Sequence, residues 1–214
     1  MGCLRISKLS YDNLREKAAA FLRSHHPSGA IPVPIEELVD LKFEIDIVPT
    51  PGLHKAYDTD AWVTSDRSTI YVDEFVYESR PNRYRFSLAH ELAHLVLHSE
   101  VLGDLSFSTI AEWRGVVSRI DEEDYGWLEW QAYAFAGLIL VPSDPLRSRF
   151  RQAASAARDA LAERGLSPEE LSSDAVAEPV LRRIASRLAE EFEVSPTVVE
   201  KRLQKDDLWD VQAI

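Results

Sequence analysis

The sequence predicts an α+β fold from three observations. Most of the chain repeats its apolar residues at helical spacing, one early stretch switches to strict alternation, and the helical period then returns and persists. Over 11–24, Leu14, Ala18, Phe21 and Leu22 mark an amphipathic helix, which His25-His26-Pro27-Ser28-Gly29 ends. A second, short helix is expected over 34–41, with Pro34 near its start. The period then changes: Phe43, Ile45 and Ile47 alternate with polar residues, and Ala61-Trp62-Val63 and Ile70-Tyr71-Val72 are two more β-type runs. Ser65-Asp66-Arg67-Ser68 is a turn signal between those two, so they should form a hairpin. Ser79-Arg80-Pro81-Asn82 supplies a cap and an early proline for a long helix through about His98. The polar stretch 106–124, acidic toward its end, reads as a loop with room for one helical turn. A strong helix is expected from Trp127 to Leu140, stopped by Val141-Pro142-Ser143, and 145–163 and 179–205 are helical in pattern.

With 45% hydrophobic residues over 214 positions, the chain can bury a sizeable core. Residues 1–142 are expected to form that core, with 143–214 a helical extension packed on it. A net charge of −12 repels phosphate backbones on average, which argues against broad nucleic-acid binding. The single cysteine, Cys3, excludes an internal disulfide and a cysteine-rich zinc site. No apolar run reaches membrane-spanning length and no signal-peptide segment opens the chain. Met1-Gly2-Cys3 invites a myristoylation reading, but the pattern wants Ser or Thr where Ile6 stands. The expected setting is the cytoplasm.

The chemistry centres on His90-Glu91-Leu92-Ala93-His94. Residues four apart on a helix share a face, so both imidazoles can reach one metal ion. Glu91, beside the first of them, projects toward the open coordination position, where it can take a proton from water. Phe86, Leu88, Ala89, Leu92, Ala93, Leu95, Val96 and Leu97 make the helix apolar on most sides. Two histidines and a glutamate buried there need partners, because unpaired buried charge is expensive, and Zn2+ supplies them.

A third ligand is required. A histidine six residues after His94 would be the metzincin solution, but Glu100 stands there and Leu97 replaces the glycine that solution needs. His98 is rotated by about 80° from His90, which puts it beside the site or at the surface rather than on the ion. Glu129 is the preferred third ligand, on a helix whose small residues permit close packing against the motif helix. Glu122, Glu123 and Asp124 are competitors in an acidic run.

Arg85-Phe86-Ser87-Leu88-Ala89-His90-Glu91-Leu92-Ala93-His94, with Glu129, Ala132, Phe135, Ala136 and Leu140-Val141-Pro142 downstream, resembles the ImmA/IrrE family of bacterial metallopeptidases. The resemblance runs from about Asp12 to Pro142 and more weakly beyond. It implies a zincin-like α+β fold: a small antiparallel-rich sheet packed on the motif helix, with additional C-terminal helices. It also implies that His90, His94 and Glu129 bind Zn2+ and that Glu91 is the catalytic base. Tyr133 departs from the family, which usually has Asn or Asp there. The implied activity is a regulated zinc metalloendopeptidase that cleaves a helix-turn-helix repressor encoded nearby, derepressing stress, mobile-element or phage-defence genes. The alternative is a non-proteolytic, zinc-stabilised regulatory module that binds a partner protein or DNA. Glu91 separates the two, since a structural metal site has no use for a base.

Two further signals are weaker. The stretch 181–204 reads like a helix-turn-helix with Lys201, Arg202 and Lys205 on its second helix, although Glu190, Glu191 and Glu193 oppose DNA there. Cys3 is a candidate inhibitory zinc ligand, because a thiolate at the open position would exclude water. Tyr125, Tyr133 and Arg119 are candidates to stabilise the oxyanion.

Overall fold

The computed structural model describes residues 6–103, 105–171 and 173–210; Cys3 lies outside them. The chain divides into two compact units, Met1–Leu140 and Val141–Ile214.

The first unit opens with helix α1 (Tyr11–His25). Its start is fixed by a reciprocal cap in which Ser10 Oγ accepts from the Asn13 N–H and Asn13 Oδ1 accepts from the Ser10 N–H, both at 3.2 Å. Next come α2 (Ile35–Glu37) and a π-helical turn, Leu38–Lys42. The first strand, β1 (Asp46–Thr50), therefore starts later than the alternation from Phe43 predicts, because the π turn absorbs the residues before it and Phe43 caps that turn. After α3 (Leu53–Tyr57) come β2 (Ala61–Val63) and β3 (Thr69–Asp73). These two pair antiparallel, Trp62 opposite Tyr71, as the expected hairpin. Asp66 organises its turn by accepting from Thr64 Oγ1 at 2.6 Å and from the Ser68 N–H at 3.1 Å.

The sheet order is β1-β3-β2, and β1 runs parallel to β3. The sheet is thus mixed, with one antiparallel and one parallel pairing, rather than antiparallel-rich. Two intervening elements, α3 and β2, return the chain to the same end before β3, which makes a parallel neighbour possible.

Short helix α4 (Glu74–Ser79) leads into α5 (Pro81–Leu97), which has Pro81 at its first turn. α5 buries Leu88, Ala89, Leu92 and Ala93 completely and packs on β2, β3 and, most extensively, on α8 (Glu122–Leu140). Between α5 and α8 lie α6 (Ser99–Gly103) and α7 (Ile110–Val117). α7 has two turns where the polar stretch predicts room for one, because a capping box between Thr109 and Glu112 fixes its start. α8 also starts earlier than Trp127. Asp121 Oδ1 accepts from the Glu123 N–H, and the carboxylates of Glu122, Glu123 and Asp124 sit in the first turn, where the helix dipole favours them. Ala132, Ala136 and Gly137 are buried along α8, so little side-chain bulk holds the two long helices apart. Phe21 of α1 meets Phe135 edge-on at 5.8 Å.

The second unit is helical: α9 (Ser143–Ala162), α10 (Pro168–Leu171), α11 (Asp174–Phe192) and α12 (Pro196–Lys205). Glu193 adopts φ 52° to turn the chain between α11 and α12. Arg202, 3% exposed, donates to the carbonyl of Val141, to Ser143 Oγ and to both carboxylate oxygens of Asp206. It holds the unit together from within and leaves Lys201 and Lys205 as the exposed basic residues of α12.

Candidate metal centre

α5 and α8 build the site between them. His90 and His94 project from the same face of α5, one turn apart, and α8 presents Glu129 to both. His90 Nε2 lies 3.0 Å from His94 Nε2, and Glu129 Oε2 and Oε1 stand 3.3 Å and 3.6 Å from the two nitrogens. Two nitrogens bound to one tetrahedral ion at 2.0–2.1 Å stand about 3.3 Å apart, so this triangle has the dimensions of a metal's coordination edge. The three side chains could hold a metal ion. Glu122, Glu123 and Asp124 stay outside the cluster, and the Glu123 carboxylate instead pairs with Lys8.

Glu91 is buried beside the triangle, and its Oε2 accepts from the Val63 N–H of β2 at 3.0 Å. Burial pushes its carboxyl up to about 8; the His90 charge and the Val63 amide oppose the shift, and Glu129 adds to it. The two histidines are driven apart. Burial, then the charges of His90 and His98, hold His94 far below its ordinary 6.5. Burial also pulls on His90, but the hydrogen bond to Glu129 and the charges of Glu91 and Glu129 outweigh it and leave His90 raised. His98 is buried too, its Nδ1 3.1 Å from His94 Nδ1, and burial takes it down to about 4. His94 and His98 are therefore neutral at pH 7, the form in which an imidazole can ligate or accept a hydrogen bond.

His90, Glu91, His94 and Glu129 line a cleft of about 400 Å³, whereas His98 is not among its lining residues. Tyr125 and Tyr133, from the same face of α8 as Glu129, line it as well, and Arg119 is not among its lining residues. Burial, followed by the nearby Glu129 carboxylate, raises the Tyr125 phenol. The Tyr133 ring stacks at a tilt on His90, centroids 4.5 Å apart.

Sequence reasoning missed several parts of the cleft. At the rim, Asp60 accepts from Arg83 Nη2 at 2.7 Å and lies 3.0 Å from His54 Nδ1. Trp113 reaches the cleft from α7, whose start was legible in the Thr109-x-x-Glu112 signature. The Val63 amide bonded to Glu91 carries no side-chain signal at all.

A helix-borne pair of histidines and an acidic partner from a second helix line this cleft with a buried glutamate alongside, and together they form a cluster that could bind a metal ion. Residues 42–204 fit the IrrE N-terminal-like domain, peptidase M78, and the protein belongs to that family. No curated protein matches it. Among solved structures it is similar to a Mycobacterium tuberculosis transcriptional regulator, with 20% identity and a TM-score of 0.51 over 91% of this chain and 49% of that one. The chain spans about half the length of that protein, and the likeness is one of fold.

Proposed function

We propose that this protein is a zinc-dependent metalloendopeptidase in which His90, His94 and Glu129 hold the ion and Glu91 is the catalytic base. The observation that carries this reading is the 3.0–3.6 Å triangle of two imidazoles and one carboxylate with buried Glu91 beside it. Two neutral nitrogens and a carboxylate suit zinc and leave a fourth position open. When bound, the ion supplies Lewis acidity to water and to a carbonyl.

The chain's own residues do the rest. Glu91, aimed by the Val63 amide, accepts the proton of the attacking water and returns it to the departing amine. The hydroxyls of Tyr125 and Tyr133 are the available donors for an oxyanion, and the aromatic walls Trp62, Phe86, Phe107 and Trp113 exclude water around the bond being cut.

A protein substrate, specifically a helix-turn-helix repressor, is supported by family membership and by the regulator to which the fold is similar. The cytoplasm is the setting we propose; among the described residues no helix is long and apolar enough to cross a membrane. A regulatory module without proteolysis is the second reading, favoured by the same structural neighbour. Co-expression with the neighbouring repressor, followed by mass spectrometry, decides between them. Wild type should yield repressor fragments and Glu91→Gln none, with zinc retained; cleavage by Glu91→Gln would overturn the mechanism.

A further inference from the structure

His98 does not belong to the metal triangle, yet it is only 4% exposed and stands four residues beyond His94, as the C-cap of α5. Its Nδ1 is 3.1 Å from His94 Nδ1. Two imidazole nitrogens at that distance repel each other unless exactly one of them carries a proton between them. With one proton between the two nitrogens, the pair has two arrangements. In one, His98 donates to His94, and the His94 proton must then sit on Nε2, pointing at His90 and Glu129. In the other, His94 donates from Nδ1 to His98, and the Nε2 lone pair faces the cluster.

Only the second arrangement leaves His94 able to ligate. We propose that His98 is a positioning residue for the metal site: by accepting the His94 Nδ1–H it fixes the ligating tautomer and the ring's orientation. Carboxylates and backbone carbonyls usually do this for metal-bound histidines. Here an imidazole at the C-cap of the same helix does it. The two ligand histidines are consequently unequal. The buried His90 Nδ1 has no hydrogen-bond partner among the described residues, and His90 is oriented by its ring contact with Tyr133 instead. His98 keeps its own proton on Nε2, also without a partner there.

The inference rests on the metal reading of His90, His94 and Glu129, and its test separates the two. Zinc affinity is measured by competition with a chromophoric chelator in wild type, His98→Asn and His98→Phe. Asn places an acceptor oxygen near the position of Nδ1, whereas Phe fills the space without one. His98→Phe should bind zinc about 10- to 100-fold more weakly, and His98→Asn should recover most of the loss. In the metal-free wild type, long-range proton–nitrogen correlation of the histidine rings should show His94 protonated at Nδ1 and His98 at Nε2. That measurement stands even if His98→Phe does not fold. Equal zinc affinity in wild type and His98→Phe, no recovery in His98→Asn, or a His94 proton on Nε2 would overturn the assignment while leaving the metal site intact. A wild-type chain that takes up no zinc would overturn both.

Discussion

Both units of this protein bury charge, and they do it in opposite ways. In the second unit Arg202 and Asp206 are nearly inaccessible, and the guanidinium is saturated by the carboxylate, the Val141 carbonyl and Ser143 Oγ. In the first unit His90, Glu91, His94 and His98 crowd one side of α5 with nitrogens left over: His90 Nδ1 and His98 Nε2 have no partner among the described residues. Buried polar groups that are fully paired hold a fold together; buried polar groups that are left wanting mark a place built for something else. The energetic signs follow. The saturated pair should be costly to break, and the unsaturated cluster should be cheap to remove in the metal-free protein.

The largest effect tests the saturated side. Arg202→Met strands the Asp206 carboxylate and should cost about 3–5 kcal/mol in chemical denaturation. Adding Asp206→Leu should recover most of that loss. A single variant as stable as wild type would erase the contrast between the units.

Next in size is the gain from metal. Zinc at about a hundred times its dissociation constant should stabilise wild type by about 2.7 kcal/mol. His94→Leu should lose that gain, while its metal-free stability stays within about 1 kcal/mol of wild type. A metal-free His94→Leu protein as damaged as Arg202→Met would make the cluster structural.

A gentler effect is the pH dependence of the metal-free chain. Glu91 has a folded-state pKa raised from 4.5 to about 8, so between those values the folded state binds more protons than the unfolded one. Its contribution to stability is therefore lost as pH rises through that window. The depressed histidines act oppositely and lower down: His98, taken from 6.5 to about 4, loses stability as pH falls through that range. Glu91→Gln should flatten the decline in Tm between pH 6.5 and 8, and an unchanged slope would remove Glu91 as its source.

The smallest effect is local. Thr109→Ala removes the cap of α7 and should cost about 1 kcal/mol, seen as faster hydrogen exchange over 110–117 without a change in zinc affinity.

The same contrast explains what the sequence could reveal. The spacing of His90 and His94 follows from helical geometry alone, and Glu129 was reachable because α8 shows small residues at the positions that face α5. The β2–β3 hairpin followed from alternation and from the Ser65–Ser68 turn. What escaped depends on neighbours distant in the chain. The partner of β3 on its far side is set by how α3 and β2 return the backbone, which no local period encodes. The Val63 amide that aims Glu91 is a main-chain group, and the rim pair Asp60–Arg83 joins residues 23 positions apart. Arg202 reads as a recognition-helix cation in the sequence, because nothing local distinguishes an exposed arginine from one that turns inward.

The central claim is that the His90–His94–Glu129 triangle is a zinc site, and metal analysis of the purified chain tests it most directly. After exposure to zinc and gel filtration, plasma mass spectrometry should find about one zinc per wild-type chain. His90→Ala, His94→Ala and Glu129→Ala should each lose most of it. A wild-type chain without zinc, or a Glu129→Ala chain that keeps its full complement, would contradict the account.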